Sequence, residues 1–151
     1  MIKAYFDGAC APFNPGGHMG IGAYVLDHDG TRIFEYSGYE PNSPTTSNNV
    51  AEYMAIENCM DFIINNGFSE EDVTFFGDSK LVIMQMSGKW RVHGGHYAET
   101  AERCLNKLYF INNAKFKWIP REHNENADYL SNVQLLKRGL KFEKPRFFKR
   151  Y

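Results

Sequence analysis

Cysteine is scarce in this chain: Cys10, Cys59 and Cys104 are the three in 151 residues, and no two stand in a CxxC pair. An odd count at such spacings argues against a disulfide framework and against a thiolate zinc site. It points to a reducing compartment, the cytoplasm, with no disulfide partner. Long apolar runs are missing too. None approaches the ~18 residues of a membrane span, so no membrane partner is expected. The first residues read as a strand, and no secretory signal is visible. There is no internal repeat and no low-complexity linker. What remains is the composition of a soluble globular domain, 43% hydrophobic and 23% charged. Its length fits one domain, read as a monomer, that buries roughly two thirds of its extended-chain surface.

The net charge of −1 is unevenly spread. Residues 137–151 hold seven basic residues and one acidic one, a local +6, which leaves −7 on residues 1–136. The tail KRGLKFEKPRFFKRY sets Phe142, Phe147, Phe148 and Tyr151 among the cations. That composition suits phosphate and base contacts, or a terminal segment packed on the acidic body; packing is the reading taken.

Element signals follow one another in a clear order. Residues 2–6 read as a strand, and MGIGAYVLDHDGTRIFEYSGY as a hairpin turning at Asp29-Gly30. The polar PNSPTTSNNV leads into a helix over 49–65, which Gly67 stops. A short strand at 73–76, a helix at 79–86, a connector SGKWRVHGG, a helix at 97–111, a strand in KFKWIP and a helix at 125–136 complete the chain. The order βββαβααβα gives an α/β fold. Its five-stranded mixed sheet has the order 3-2-1-4-5, with strands 1–3 antiparallel and strands 4 and 5 parallel to strand 1 through right-handed crossovers. Ligands of open α/β sheets bind at the carboxyl ends of the strands flanking such a switch point, here strands 1 and 4.

Acidic residues collect at that point. Asp7 follows strand 1, Asp78 follows strand 4, and Asp128 comes early in the last helix. Glu52 heads the stripe Glu52, Ile56, Cys59, Ile63, which repeats at helical spacing and so faces the sheet. Each acid singly has a plain structural reading, as turn chemistry, a helix cap or a dipole partner. Jointly they form a site. Crowded carboxylates repel one another, no neighbouring cations in the sequence neutralise four, and a hard divalent ion, Mg²⁺ or Mn²⁺, does. A metal pair ~4 Å apart activates water and stabilises the leaving oxygen of a phosphodiester.

The motifs YFDGAC with NPGG, TTSNNVAEY, FFGDSK and WIPREHNENADYLSN, in this order, resemble type 1 ribonuclease H over about residues 1–136. Residues 137–151 would then be an added basic, aromatic tail. The resemblance implies a ribonuclease H-like fold. It also implies endonucleolytic cleavage of the RNA strand of an RNA–DNA hybrid with two Mg²⁺ ions, or Mn²⁺, leaving 5′-phosphate and 3′-hydroxyl ends. Asp7, Glu52, Asp78 and Asp128 match the family's metal-binding carboxylates, with Asp7 shared between the ions. Gly8, Cys10, Asn14, Pro15 and Gly16 match the loop that meets the RNA strand, where backbone groups and Asn bond 2′-hydroxyls. Asn48 and Asn49 match hybrid contacts, and Ser47 matches a hydroxyl used for a DNA phosphate, a role compatible with helix capping.

The sequence departs from the well-known bacterial pattern in three places. The basic protrusion after the second helix is absent, leaving Lys89, Trp90 and Arg91, where Trp90 is read as a sugar contact or as a core anchor. His123 is the candidate for the mobile histidine that aids product release, though it sits only five residues before Asp128. Lys80 follows Asp78-Ser79 where an amide is common, and is read as meeting a phosphate or as solvated, with Ser79 beside it a candidate substrate contact.

Other readings fit less well. An exonuclease of this fold carries Asp-x-Glu on strand 1, and residue 9 is Ala. A transposase core ends its acid set in glutamate, for which Glu122 and Glu125 are near, but 151 residues leave no room for accessory domains. A non-catalytic hybrid-binding module would have lost acids. A flavodoxin-like binder needs a phosphate loop and a mainly parallel sheet.

Overall fold

Ile2, Ala4 and Phe6 are each at most 2% exposed, while Lys3 and Tyr5 between them point to the other face, the two-residue period of a strand. In the computed structural model, which describes residues 1–141, they begin β1 (Ile2–Ala11). The aromatic positions of the tail, and the expectation that they pack on the body, lie outside the described residues. Strand β1 pairs antiparallel with β2 (His18–Leu26), and β2 pairs antiparallel with β3 (Arg32–Glu40). On its other side β1 pairs parallel with β4 (Asp72–Gly77), and β4 pairs parallel with β5 (Asn113–Trp118). The sheet order is β3-β2-β1-β4-β5, as the element order requires.

The end of β1 differs from the sequence reading. Strand β1 does not end at Phe6 but runs to Ala11. Its parallel register with β4 stops at Tyr5↔Phe76, whereas its antiparallel register with β2 continues through Asp7↔Gly22 to Ala11↔His18. The small residues of DGACA read as a loop, yet they keep one edge in the sheet. Asp7 is therefore a strand residue at the fork where β1 and β4 part.

Helices cover both faces. Helix α1 (Asn48–Asn65) packs on the face of Ile2, Ala4 and Phe6, and the whole stripe Glu52, Ile56, Cys59, Ile63 is buried there. Helix α4 (Glu125–Lys137) covers the opposite face, where Ala127 and Leu130 cluster with Tyr24 and Tyr5. Helices α2 (Lys80–Met86) and α3 (Ala98–Lys107) complete the set. The long helix expected over 97–111 ends at Lys107 and tightens into a 3₁₀ turn, Leu108–Phe110. Arg103 and Lys107 of α3 clamp Glu57 of α1, each at 3.0 Å. Burial alone raises the Glu57 pKa, but these two cations outweigh it and hold the carboxyl below its usual range. Trp90, in the connector after α2, is 44% exposed and so anchors no core. Cys10, Cys59 and Cys104 are free thiols, the last two buried. Among the described residues no helix is long and apolar enough to cross a membrane.

Candidate active site

The fork between β1 and β4 opens the sheet at its carboxyl end, and three elements send acids into the gap. Asp7 comes from β1, Asp78 from the residue after β4, and Glu52 from the second turn of α1. Carboxylate oxygens of the three lie within 4.8 Å of one another. Gly8 permits the approach of α1: a Cβ there would stand 2.3 Å from the Glu52 amide nitrogen and 2.7 Å from the Ala51 Cβ. Asp128, in the first turn of α4, lies outside this triad but lines the same cleft of about 410 Å³. Its Oδ1 accepts from Asn132 Nδ2 at 3.0 Å and faces Arg121 at 3.8 Å.

Burial and crowding act together on these groups. Asp7 and Glu52 are 6% and 4% exposed. Burial first, then the charges of Asp78 and Asp128, push the Asp7 pKa well above the carboxylate range. Burial, then Asp7 and Asp78, do the same to Glu52, against which the Gly8 amide donates a bond favouring the charge. Asp78 is also raised by burial, tempered by a bond from Asn124 and by Arg121. Burial and mutual repulsion thus disfavour the charged forms of all three carboxyls.

Supporting polar groups surround the acids, and the sequence reading missed them. Asn124 is fully buried; its Nδ2 donates to the Phe6 carbonyl at 3.1 Å and lies 3.4 Å from Asp78 Oδ2. Ser131 Oγ lies 3.2 Å from Asp7 Oδ2 and 2.8 Å from the Asp128 carbonyl. The Trp118 indole donates to the Asp78 carbonyl at 3.0 Å. Arg121, Asn132 and Lys141 line the cleft as well.

Of the expected contact residues, Gly8, Cys10, Asn14 and Asn48 line the cleft. Asn14 and Asn48 are latched to each other: Asn14 Nδ2 donates to Asn48 Oδ1 at 2.9 Å, and the Asn48 amide donates to Asn14 Oδ1 at 3.0 Å. The Gly16 amide fastens the same loop, with Pro15 in it, to the Thr46 carbonyl at 2.8 Å. Ser47 caps α1, its Oγ accepting from the Val50 amide at 3.1 Å, which leaves the hydroxyl proton to donate outward. Asn49 is in the first turn of α1 without lining the cleft. Ser79 caps α2 at 3.3 Å from the Val82 amide, and Lys80 is exposed beside it. Neither they nor Trp90 line the cleft. His123 ends the 3₁₀ turn Arg121–His123, exposed; Arg121 of that turn, not His123, reaches the cleft. The Cys10 thiol donates to the Phe13 carbonyl at 3.1 Å.

The acids fit a divalent cation. Glu52 Oε2 is buried without a hydrogen-bond partner among the described residues, a costly state unless a cation completes it. The donor set is all oxygen, the choice of hard ions. Its spread is close to the ~4.2 Å between opposite ligands of an octahedral Mg²⁺.

The sequence matches the reverse transcriptase-like family over residues 5–134. It is 32% identical to ribonuclease HI of Halobacterium salinarum over 134 residues, which are 89% of this chain and 64% of that protein. It is 33% identical to bifunctional protein Rv2228c of Mycobacterium tuberculosis over 119 residues, 79% of this chain but only 31% of that protein. Among solved structures, LC11-RNase H1 in complex with RNA/DNA hybrid superposes with a TM-score of 0.81 at 30% identity, covering 93% of this chain and 100% of that one. The chain belongs to this family, in its type 1 ribonuclease H branch. It spans less than two thirds of the length of either curated relative.

In this ribonuclease H fold the triad stores repulsion that a neutral substitution releases. Asp7→Asn keeps the shape and an acceptor for Ser131. In chelator at neutral pH it should raise stability by about 1–2 kcal/mol, a melting shift of ~2–8 °C at this size. Millimolar Mg²⁺ should raise the melting temperature of the parent and not of the variant. The sign with pH follows from the raised carboxyl pKa values of Asp7 and Glu52. The folded chain takes up protons before the unfolded one, so the penalty is full above the raised values and disappears below the ordinary carboxylate range. The advantage of Asp7→Asn should therefore narrow as pH falls toward ~4. Melting curves across pH in chelator check it; a variant less stable than the parent at pH 7 refutes the stored repulsion.

Proposed function

We propose that this chain is a metal-dependent endonuclease that hydrolyses the RNA strand of RNA–DNA hybrids, leaving 5′-phosphate and 3′-hydroxyl ends. The observation that carries the reading is the convergence of Asp7, Glu52 and Asp78 to within 4.8 Å in a cleft that Asp128 also lines. Family membership and the hybrid held by LC11-RNase H1 support the substrate class. The cofactor of this reading is Mg²⁺, with Mn²⁺ able to replace it, two ions being held when substrate is present. Asp7, Glu52 and Asp78 would hold one ion, and Asp7 with Asp128 the other. When bound, such a pair supplies an activated water and charge neutralisation at the departing 3′ oxygen.

The chain's own groups do the rest. Asn132 orients the Asp128 carboxylate through its 3.0 Å bond. Ser131 supports Asp7, and Asn124 steadies Asp78 against the end of the β1 core. The latched Asn14 and Asn48 present amide groups to 2′-hydroxyls, with Gly8, Cys10, Pro15 and Gly16 giving the RNA backbone room to approach. Ser47, Asn49, Ser79, Lys80 and Trp90 serve the flanking phosphates and sugars, and His123 serves product release. Residues 1–136 form the catalytic unit, with 137–151 a tail added to it, acting as a monomer. The free, partly exposed thiol of Cys10 fits a reducing compartment, the cytoplasm.

The test is a gel assay with one labelled RNA strand, alone, paired with DNA and paired with RNA, with and without chelator. Cleavage confined to the hybrid and abolished by chelator is expected. Cleavage that persists in chelator, or an intact hybrid in Mg²⁺ and Mn²⁺, overturns the proposal.

A further inference from the structure

Helix α4 ends in a reversal that returns the chain toward the cleft. Gly139 adopts φ +69°, the left-handed region that glycine enters without a Cβ penalty. The Leu140 amide donates to the Leu135 carbonyl at 2.9 Å and the Gly139 amide to the Leu136 carbonyl at 3.1 Å, the paired bonds of a Schellman helix end. Arg138, at the start of the turn, lies over the Tyr39 ring at 3.9 Å and donates to Gln134 Oε1 at 2.8 Å. The reversal is thus fixed on both sides, and the next residue, Lys141, is carried back along α4. Its Nζ donates to Asn132 Oδ1 at 2.6 Å, and Lys141 lines the same cleft as the carboxylates.

The other end of the Asn132 amide donates to Asp128, to its carbonyl at 2.8 Å and to Oδ1 at 3.0 Å. That orients the amide, with its oxygen directed away from the carboxylate, and stations an ammonium beside an acidic centre. A nucleic-acid duplex approaching this cleft brings phosphates toward four carboxylates on a body of net charge −7. Cations on the cleft wall decide whether that approach is tolerated. Among the described cleft residues these are Arg121, which faces Asp128 at 3.8 Å, and Lys141. The bond from Lys141 to Asn132 ends on a neutral amide oxygen. An ionised phosphate oxygen adds an opposite charge that the neutral amide oxygen lacks, so a phosphate is the stronger acceptor for the ammonium.

We propose that Lys141, delivered by the Gly139 reversal, is a substrate-binding residue that contacts a backbone phosphate of the bound hybrid beside Asp128. The inference rests on the hybrid-nuclease reading and adds to it a cation from beyond the last helix. Asn132 is then one of the groups that station the ammonium beside the cleft before substrate arrives.

The experiment uses the full chain carrying Asp78→Asn, to prevent turnover, with a fluorescent RNA–DNA hybrid in Mg²⁺ over a range of salt. Adding Lys141→Gln should weaken binding roughly three- to tenfold. It should also lower the slope of log affinity against log salt by ~0.9, the loss of one phosphate contact. Lys141→Arg should restore both, and the melting temperature of each should stay within ~2 °C of the parent. A residue that merely props Asn132 would leave the salt slope untouched, so an unchanged slope and affinity in Lys141→Gln overturn the inference alone. Tighter binding by that variant also overturns it, since the ammonium would then obstruct the cleft. A parent that fails to bind the hybrid overturns the nuclease reading, and the inference with it.

Discussion

Replacing Asp78 by asparagine should lower hybrid cleavage by at least ~10³-fold, the scale on which one oriented electrostatic group acts in a reaction of this kind. Hybrid binding should stay within about threefold of the parent. The two expectations have one origin. Asp78 stands at the end of β4 with its backbone carbonyl bonded by Trp118 and its Oδ2 near Asn124 Nδ2, so an amide of the same shape fills the same space. What is lost is a carboxylate and, on the proposed reading, a cation ligand in a triad that spans only 4.8 Å. Removing that charge also relieves repulsion toward phosphate, which protects binding. Single-turnover cleavage and fluorescence anisotropy separate the two quantities. Near-parental turnover of Asp78→Asn in Mg²⁺ would remove Asp78 from the chemistry and leave the triad without a role.

The acids themselves were legible because each sits where an apolar period ends or interrupts itself. Asp78 closes a short apolar strand, and Glu52 occupies a core-facing helical position that a solvated glutamate would avoid. The strand order followed from the connections, since a strand after a helix has few places to go. The end of β1 was not legible. Residues 7–11 are small and polar enough to read as loop, and only the register with β2 holds them extended. The groups that steady the acids were hidden for a different reason. Asn124 stands at the N-terminal end of α4, yet its side chain makes no cap bond and reaches 118 residues back to the Phe6 carbonyl. Ser131, Asn132 and Arg121 are ordinary polar residues until α4 is laid across the sheet. Nor does anything in KRGLK say that its second lysine returns to the cleft: where the reversal at Gly139 leads depends on what α4 packs against.

That packing supplies the second large effect. Gly20 and Gly22 alternate along β2 on the face that α4 covers, and Gly22 is the register partner of Asp7. A Cβ at Gly20 would stand 1.7 Å from the Ser131 carbonyl oxygen, and one at Gly22 would stand 2.3 Å from that of Ala127. These are backbone atoms of a helix, which cannot rotate aside as a side chain does. The two glycines therefore set how closely α4 lies on the sheet, and so where Asp128, Ser131 and Asn132 stand relative to Asp7. Gly20→Ala must lift the helix by an ångström or more. Overpacking of this kind costs about 3 kcal/mol, a fall of ~6–12 °C in melting temperature at this size. The surviving folded fraction should cleave about 10²-fold more slowly, because Asp128 is displaced from the triad by a distance catalysis does not tolerate. Gly94→Ala is the control, since nothing lies within 4 Å of a Cβ there. Equal melting temperatures and rates for Gly20→Ala and Gly94→Ala would mean that the helix has room to spare, and that the position of Asp128 is set by something other than the bare backbone of β2.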